Sequence, residues 1–514
     1  MSQRPLFLGL ALLVTACGGV SASPPSLTYV IDLNDRADDL FKVTLEVEGL
    51  DRGNAIYQFA STAPGTYQVM NIGRFVRSFE ARDARGAVVP SEQVSVNQWR
   101  LSDPARVRSI RYTVAETWDT KVEHNPVYLM CGTSIEADHV LINPHAVIGY
   151  PTGLQAAPVR LRLRYPGEWK IGTALERNAD GAFHAESYDH LVDSPILLGR
   201  LTEARLSVTG VPVEIYAYSK TDKIRAPQLL EAMDEMLEAA GRFLGKLPVE
   251  RYTFLYHFED RNAGAWEHSL SSEYVFHESE FTDSLGRYLT DIAAHEFFHI
   301  VTPLNIHSEI IERFNFVTPV PSRHLWLYEG TTEWAAHAMQ LRAGLKSPED
   351  YLKKVLEKMR IDRAAFDSAY SLRDLALTSY SDSGQKQYAN IYMRGALTAG
   401  LLDIRLLELS GGTQGLQDVI LDLADRYGKE RAFPEATFVD TLVALTHPEI
   451  RDFFDRYVWE SERLPIADYY ARLGIHLVED AEGRPLRFEI DPSPTPAQRR
   501  LRDAWLGQKP EASP

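Results

Sequence analysis

The sequence predicts an α+β protein, with a β-sandwich-like N-terminal domain, a mixed middle segment and a mostly helical remainder. Three observations carry this reading. From about Ser26 to Ser207 apolar residues recur at every second position, the period of half-buried strands. Near Ala226 the period lengthens to three and four, that of an amphipathic helix. At 514 residues the chain also exceeds one ordinary core, so two or three domains are expected.

In the first region "FKVTLEVEGL" alternates Val43, Leu45 and Val47 with Lys42, Thr44 and Glu46. "VRLRLRYPG" alternates Val159, Leu161 and Leu163 with three arginines. Turn residues separate such runs at short intervals, as a sandwich requires. The helical run "APQLLEAMDEMLEAAGRFLGKLP" places Leu230, Met233, Leu237, Ala240 and Leu244 on one side. Pro227 suits its first turn, and Gly245 with Pro248 suits its end. "RYTFLYHFED" and "WEHSLSSEYVF" read as two strands, and the chain after Trp334 is mostly helical. The stretch from Asp491, with "DPSPTPAQ", reads as a Pro-rich, loosely ordered tail.

The net charge of −17 argues against a nucleic-acid partner, because a phosphate backbone would be repelled. The opening "MSQRPLFLGLALLVTACGG" has one basic residue, Arg4, an apolar run from Leu6 to Val14, and small residues up to Cys17. This is the pattern of a secretory signal, too short to span a bilayer. Its "VTAC" ending resembles a bacterial lipobox, which makes Cys17 the expected site of diacylation. The alternative is a plain signal peptide with an incidental cysteine. Gly18 follows, with no aspartate to resemble an inner-membrane retention signal, so the expected location is the periplasmic face of the outer membrane. The membrane partner is then reached through a lipid anchor and a flexible tether, "GGVSASPPS". Cys131, the one remaining cysteine, reads as a small buried apolar residue rather than a nucleophile. The expected divisions are 1–16 signal, 17–26 lipidated cysteine and tether, 27–207 β-rich domain, 208–345 metal-binding domain, 346–490 helical part and 491–514 tail.

The chemistry centres on "DIAAHEFFHIVTPLNIH". Residues i and i+4 share a helix face, so His295 and His299 can aim ring nitrogens at one point. Glu296, about a hundred degrees around the helix, is poorly placed as a ligand but suits a general base. An H-E-x-x-H string arises by chance in about one chain in thirty of this length and histidine content, so context must decide. "HLWLYEGTTEW" supplies it: Glu329 follows on a second helix and would complete a His₂Glu zinc site for one ion with a position left open. Glu333, one turn later, is expected to accept a hydrogen bond from the outer nitrogen of a ligand histidine, with Asp291, one turn before His295, as the competitor for that role. Ordinary solvated carboxylates are the alternative for both.

"HEFFH", "LWLYEGTTEW", "APGTYQV", "AWEHSLS" and "FFDRYV" together resemble the glycyl aminopeptidase family of gluzincin metallopeptidases. The resemblance runs from the early strands to roughly Leu473, and it implies a thermolysin-like zinc peptidase domain behind the β-rich one. It makes His295, His299 and Glu329 the zinc ligands and Glu296 the catalytic acid–base. "QYANIYMRGAL" matches the segment whose tyrosine would donate to the oxyanion, pointing to Tyr392, with Tyr388 a turn earlier as the alternative. "NAGAWEHSLSS" matches the cleft edge, where Glu267 would face the substrate's free amine and His268 would line the cleft without an assigned role. Two departures stand out. Trp266 replaces a smaller residue beside that glutamate, so its ring is expected to narrow or block the first subsite. Fewer than fifty residues follow Tyr470, too few for the peptide-binding PDZ domain that such proteins often carry.

The expectation is a zinc aminopeptidase acting on peptides with a free N-terminus and a small first residue, glycine or alanine. Its rivals are a thermolysin-like endopeptidase with the same centre and a non-catalytic peptide-binding envelope lipoprotein.

Overall fold

The computed structural model describes residues 26–261 and 264–508. The signal segment, Cys17 and nearly all of the tether therefore lie outside the described residues. The protein is α+β, with a β-rich first domain followed by a mixed sheet and a helical part.

The first domain is built on an eight-stranded sheet in which Leu27–Asp32 lies between Leu40–Val47, antiparallel, and Val159–Arg164, parallel. The alternation read from the sequence explains the register. Val43, Leu45 and Val47 are buried, with Tyr29, Ile31, Val159 and Leu161 in the same core. Two four-stranded sheets close that core, one of which contains His139–Ile142 paired with Ile196–Gly199. Cys131 is buried and free.

The second domain's sheet runs in the order Thr202–Val208, Val211–Ser219, Tyr252–Glu259, Ser271–His277, Gly264–His268. Its three inner strands are parallel, and Gly264–His268 is an antiparallel edge. Two expectations need correction here. The boundary at residue 207 cuts a hairpin: Thr202–Val208 pairs with Val211–Ser219 across Thr209 and Gly210, both at positive φ, as a two-residue primed turn demands. A two-residue period marks a strand but not the sheet that it joins. Likewise "WEHSLSSEYVF" is not one strand but parts of two, turning at Ser269 and Leu270.

The helix Ala226–Leu244 starts with Pro227 in its first turn and stops before Gly245, whose φ is 69°. It packs on Asp283–Phe298, the helix carrying the histidines. Thr282 caps that helix by accepting from the Leu285 amide, which satisfies one of its otherwise unpaired donors.

The tail is the third correction. Pro496–Trp505 is a helix, opened by a capping box between Thr495 and Gln498. Pro496 is tolerated because its missing N–H falls in the first turn. Trp505, 2 % exposed, packs on Tyr351 at 5.4 Å. Burying a ring of that size is worth about 2–3 kcal/mol, enough to anchor one short helix. Among the described residues no helix is long and apolar enough to cross a membrane.

Candidate metal centre and cleft

His295 lies in the last turn of its helix, and His299 closes that helix as its cap. The i,i+4 spacing brings their Nε2 atoms to 3.1 Å. The outer nitrogens show which tautomers are present. Nδ1 of His299 faces the Thr302 carbonyl at 2.9 Å, and that of His295 faces Glu333 Oε2 at 2.8 Å. Carbonyl and carboxylate oxygens only accept, so both Nδ1 atoms donate, and in the neutral imidazole each Nε2 then keeps its lone pair for a metal. Oε2 of Glu329 lies 3.5 Å from each Nε2.

Three atoms able to act as ligands thus converge on one point, an arrangement that suits a cation. Ligands about 2.0–2.1 Å from a tetrahedral zinc lie about 3.3 Å apart, and the three separations here bracket that value. The residues present fit zinc.

Glu329 sits in a wide π-helical turn, Trp326–Thr331, leading into the helix Thr332–Arg342. Such turns recur at functional sites. Glu333 then falls one turn along and reaches His295. Burial alone would raise its pKa, yet Lys358, with hydrogen bonds from His295 and His337, holds it well below the usual carboxylate range. Asp291 takes no such part. It pairs with Lys346 and Lys354, and Lys346 meets Nδ1 of His337 at 2.8 Å. Asp291 therefore supports a neighbour of Glu333 and touches neither ligand.

Glu296 is 7 % exposed. Burial lifts its pKa to about 8; the Glu329 and Glu333 charges push the same way, against His295. Glu296, Glu267 and His299 each contribute an atom to a group within 4.8 Å, so Glu267 borders the metal centre. Burial, then the charges of Glu329 and Glu296, raises the Glu267 carboxyl well above its ordinary range. A cationic amine placed there would reverse that shift.

The ring of Tyr392 is 5.6 Å from that of His295, and its hydroxyl is 3.0 Å from that of Tyr388. Both tyrosines reach the cleft, coupled to one another. Trp266, expected to narrow or block the first subsite, sits at the edge of the cleft. It is 3 % exposed and packs on His145 and His268 within the first domain's core. The strand's alternation directs it toward that core, and its edge still bounds the cleft. Beside it lies a cavity of about 50 Å³ bounded by Gly65, Tyr67, Trp266, Glu267, Leu304 and Tyr380, with room on the order of a few waters. His268 is buried, with Nδ1 3.4 Å from Asp193.

Sequence reasoning missed Tyr67, although it stands in the quoted "APGTYQV". Its hydroxyl donates to Glu329 Oε1 at 3.3 Å. Its φ of 47° places it in the left-handed region, uncommon for a bulky residue, and Gln385 holds its carbonyl at 2.8 Å. Lys358 and His337, the other partners of Glu333, carried no local signal.

Comparisons with known proteins bear on the family and the fold. Residues 28–200 match the peptidase M61 N-terminal domain, and residues 288–398 match the M61 glycyl aminopeptidase model, together just over half of the chain. Among solved structures, the fold resembles an aminopeptidase N family protein from Idiomarina loihiensis, with a TM-score of 0.78, 21 % identity and coverage of 88 % of this chain and 79 % of that one. It also resembles native yeast LTA4 hydrolase, with a TM-score of 0.53, 11 % identity and coverage of 87 % and 70 %. No curated protein matches the sequence.

Proposed function

Because this chain belongs to the M61 glycyl aminopeptidase family, we propose that it is a zinc-dependent aminopeptidase releasing a small first residue, glycine or alanine, from peptides. The observation that carries the reading is the convergence of His295 Nε2, His299 Nε2 and Glu329 Oε2 within 3.5 Å, with Glu296 and Glu267 on their border. Bound by those three residues, zinc would supply Lewis acidity toward the scissile carbonyl and acidify a water.

The chain's own groups account for the rest. Glu296 takes a proton from the attacking water and returns it to the leaving nitrogen as the C–N bond breaks. The products are a free amino acid and a peptide one residue shorter. Tyr392, backed by Tyr388, donates to the oxygen that gains charge. Glu267 pairs with the α-ammonium and registers the first peptide bond over the centre. The small cavity beside it favours a small first side chain. An endopeptidase has no use for a half-buried carboxylate at that position, which is why the aminopeptidase reading is preferred. The "VTAC" stretch supports a lipid-anchored position facing the periplasm.

The test compares glycyl and alanyl peptides, free and N-acetylated, on the native protein and on Glu296→Gln. Cleavage of free peptides only, lost by about 10²-fold or more in Glu296→Gln with zinc retained, is the expected result. Equal cleavage of acetylated peptides would establish an endopeptidase, and zinc binding without hydrolysis a binding protein.

A further inference from the structure

The strand Tyr252–Glu259 is buried on both faces. Tyr252, Phe254, Tyr256 and Phe258 enter the core beneath the helices. Leu255 points the other way, joining Trp118, Leu141, Leu197 and Tyr218 where the second domain meets the first. Alternation puts His257 and Glu259 on that same side, and there the apolar pattern breaks.

His257 is 1 % exposed, and neither ring nitrogen has a hydrogen-bond partner among the described residues. His139, on the first domain's strand His139–Ile142, is 2 % exposed. Its Nδ1 faces Asp138 at 3.0 Å, while its Nε2 has no partner among the described residues. Atoms of His139, His257 and Glu259 lie within 4.8 Å of one another, with His257 Nε2 3.8 Å from Glu259 Oε1. Tyr218 stacks on His139 at 3.8 Å, and Trp118 leans on His257 at 4.9 Å. Packing alone does not explain two such imidazoles. Buried polar atoms in folded proteins are paired, and a leucine or phenylalanine would fill the space without leaving any unpaired.

We propose that His139, His257 and Glu259 form a second divalent-cation site, with the donor set of zinc, that clasps the first domain to the sheet of the second. Two imidazole nitrogens and a carboxylate oxygen are ligands that zinc takes. Asp138 accepts from His139 Nδ1, which leaves the Nε2 lone pair for the ion, the usual role of a carboxylate behind a ligand histidine. Arg261 Nε at 3.3 Å and Lys220 Nζ at 4.0 Å also face Glu259; they balance its charge when the ion is absent. The donors stand wider than the catalytic trio, so loading draws each inward by about an ångström, within reach of side-chain rotation. With ligands from both domains, the ion ties them together and takes no part in peptide cleavage.

The experiment strips the full chain with a chelator, reloads it with zinc and counts metal per chain. Two ions are expected in the native protein and one in His257→Gln or Glu259→Gln, with peptide cleavage kept within about twofold. His295→Gln/His299→Gln should hold one ion, and Glu259→Gln added to that pair should abolish it. A native protein binding a single ion, absent from His295→Gln/His299→Gln, overturns the proposal. Because changes at His257 can harm folding, cobalt titration of His295→Gln/His299→Gln provides a second readout. A visible d–d band at one equivalent and a rise of several degrees in Tm are expected. No band overturns the proposal.

Discussion

Tyr67 and Glu329, 262 residues apart in sequence, meet through a buried hydrogen bond from the phenol to the carboxylate's Oε1. The other oxygen, Oε2, is the one turned toward His295 and His299. Tyr67 thus orients, from the first domain, the carboxylate proposed as the third zinc ligand. Tyr67→Phe should weaken zinc retention by about tenfold or more, read by competition with a chromophoric chelator. Unchanged affinity would show the bond to be incidental.

Glu333 has two duties that can be separated. It accepts from His295 Nδ1 and neutralises Lys358, whose side chain is 11 % exposed. Glu333→Gln should weaken zinc binding about 10–100-fold and lower stability by about 3–5 kcal/mol, since a buried cation loses its partner. Adding Lys358→Met should restore most of the stability, measured by urea unfolding, without restoring metal affinity.

The coupled hydroxyls of Tyr388 and Tyr392 leave their order to be decided by kinetics. Tyr392→Phe should reduce kcat about 10²–10³-fold with little change in KM. Tyr388→Phe should cost less than about tenfold, because it acts by orienting its neighbour. The reverse ranking would move the donor role to Tyr388.

Gly65 tests the cleft edge. Its φ is +73°, and a Cβ there would stand 2.5 Å from Glu267 Oε1 and 2.7 Å from Trp266 Nε1. Gly65→Ala should displace the carboxylate and reduce kcat/KM for free peptides by about tenfold or more, at a stability cost of about 1–2 kcal/mol from the backbone alone. Zinc content should be unchanged. Full activity would detach Glu267 from amine recognition.

Much of the fold was legible because its signals are local. The two-residue period marked the early strands, and Pro227 and Gly245 bounded a helix. What failed was decided by partners. Thr202–Val208 has the same alternation as the first domain's strands but joins the other sheet. Pro496 reads as a breaker, yet Trp505 has a buried seat that converts the tail into a docked helix.

The same division holds at the site. The sequence by itself determined that His295 and His299 face one point with Glu296 beside them, because helix geometry places side chains four residues apart on one face whatever surrounds them. Tertiary structure alone decided that Glu333 rather than Asp291 backs a ligand, that Trp266 turns into the core, and that Tyr67 reaches Glu329. Each of those outcomes depends on how elements distant in sequence pack, and side-chain spacing along a chain carries no record of the surface that will be laid against it.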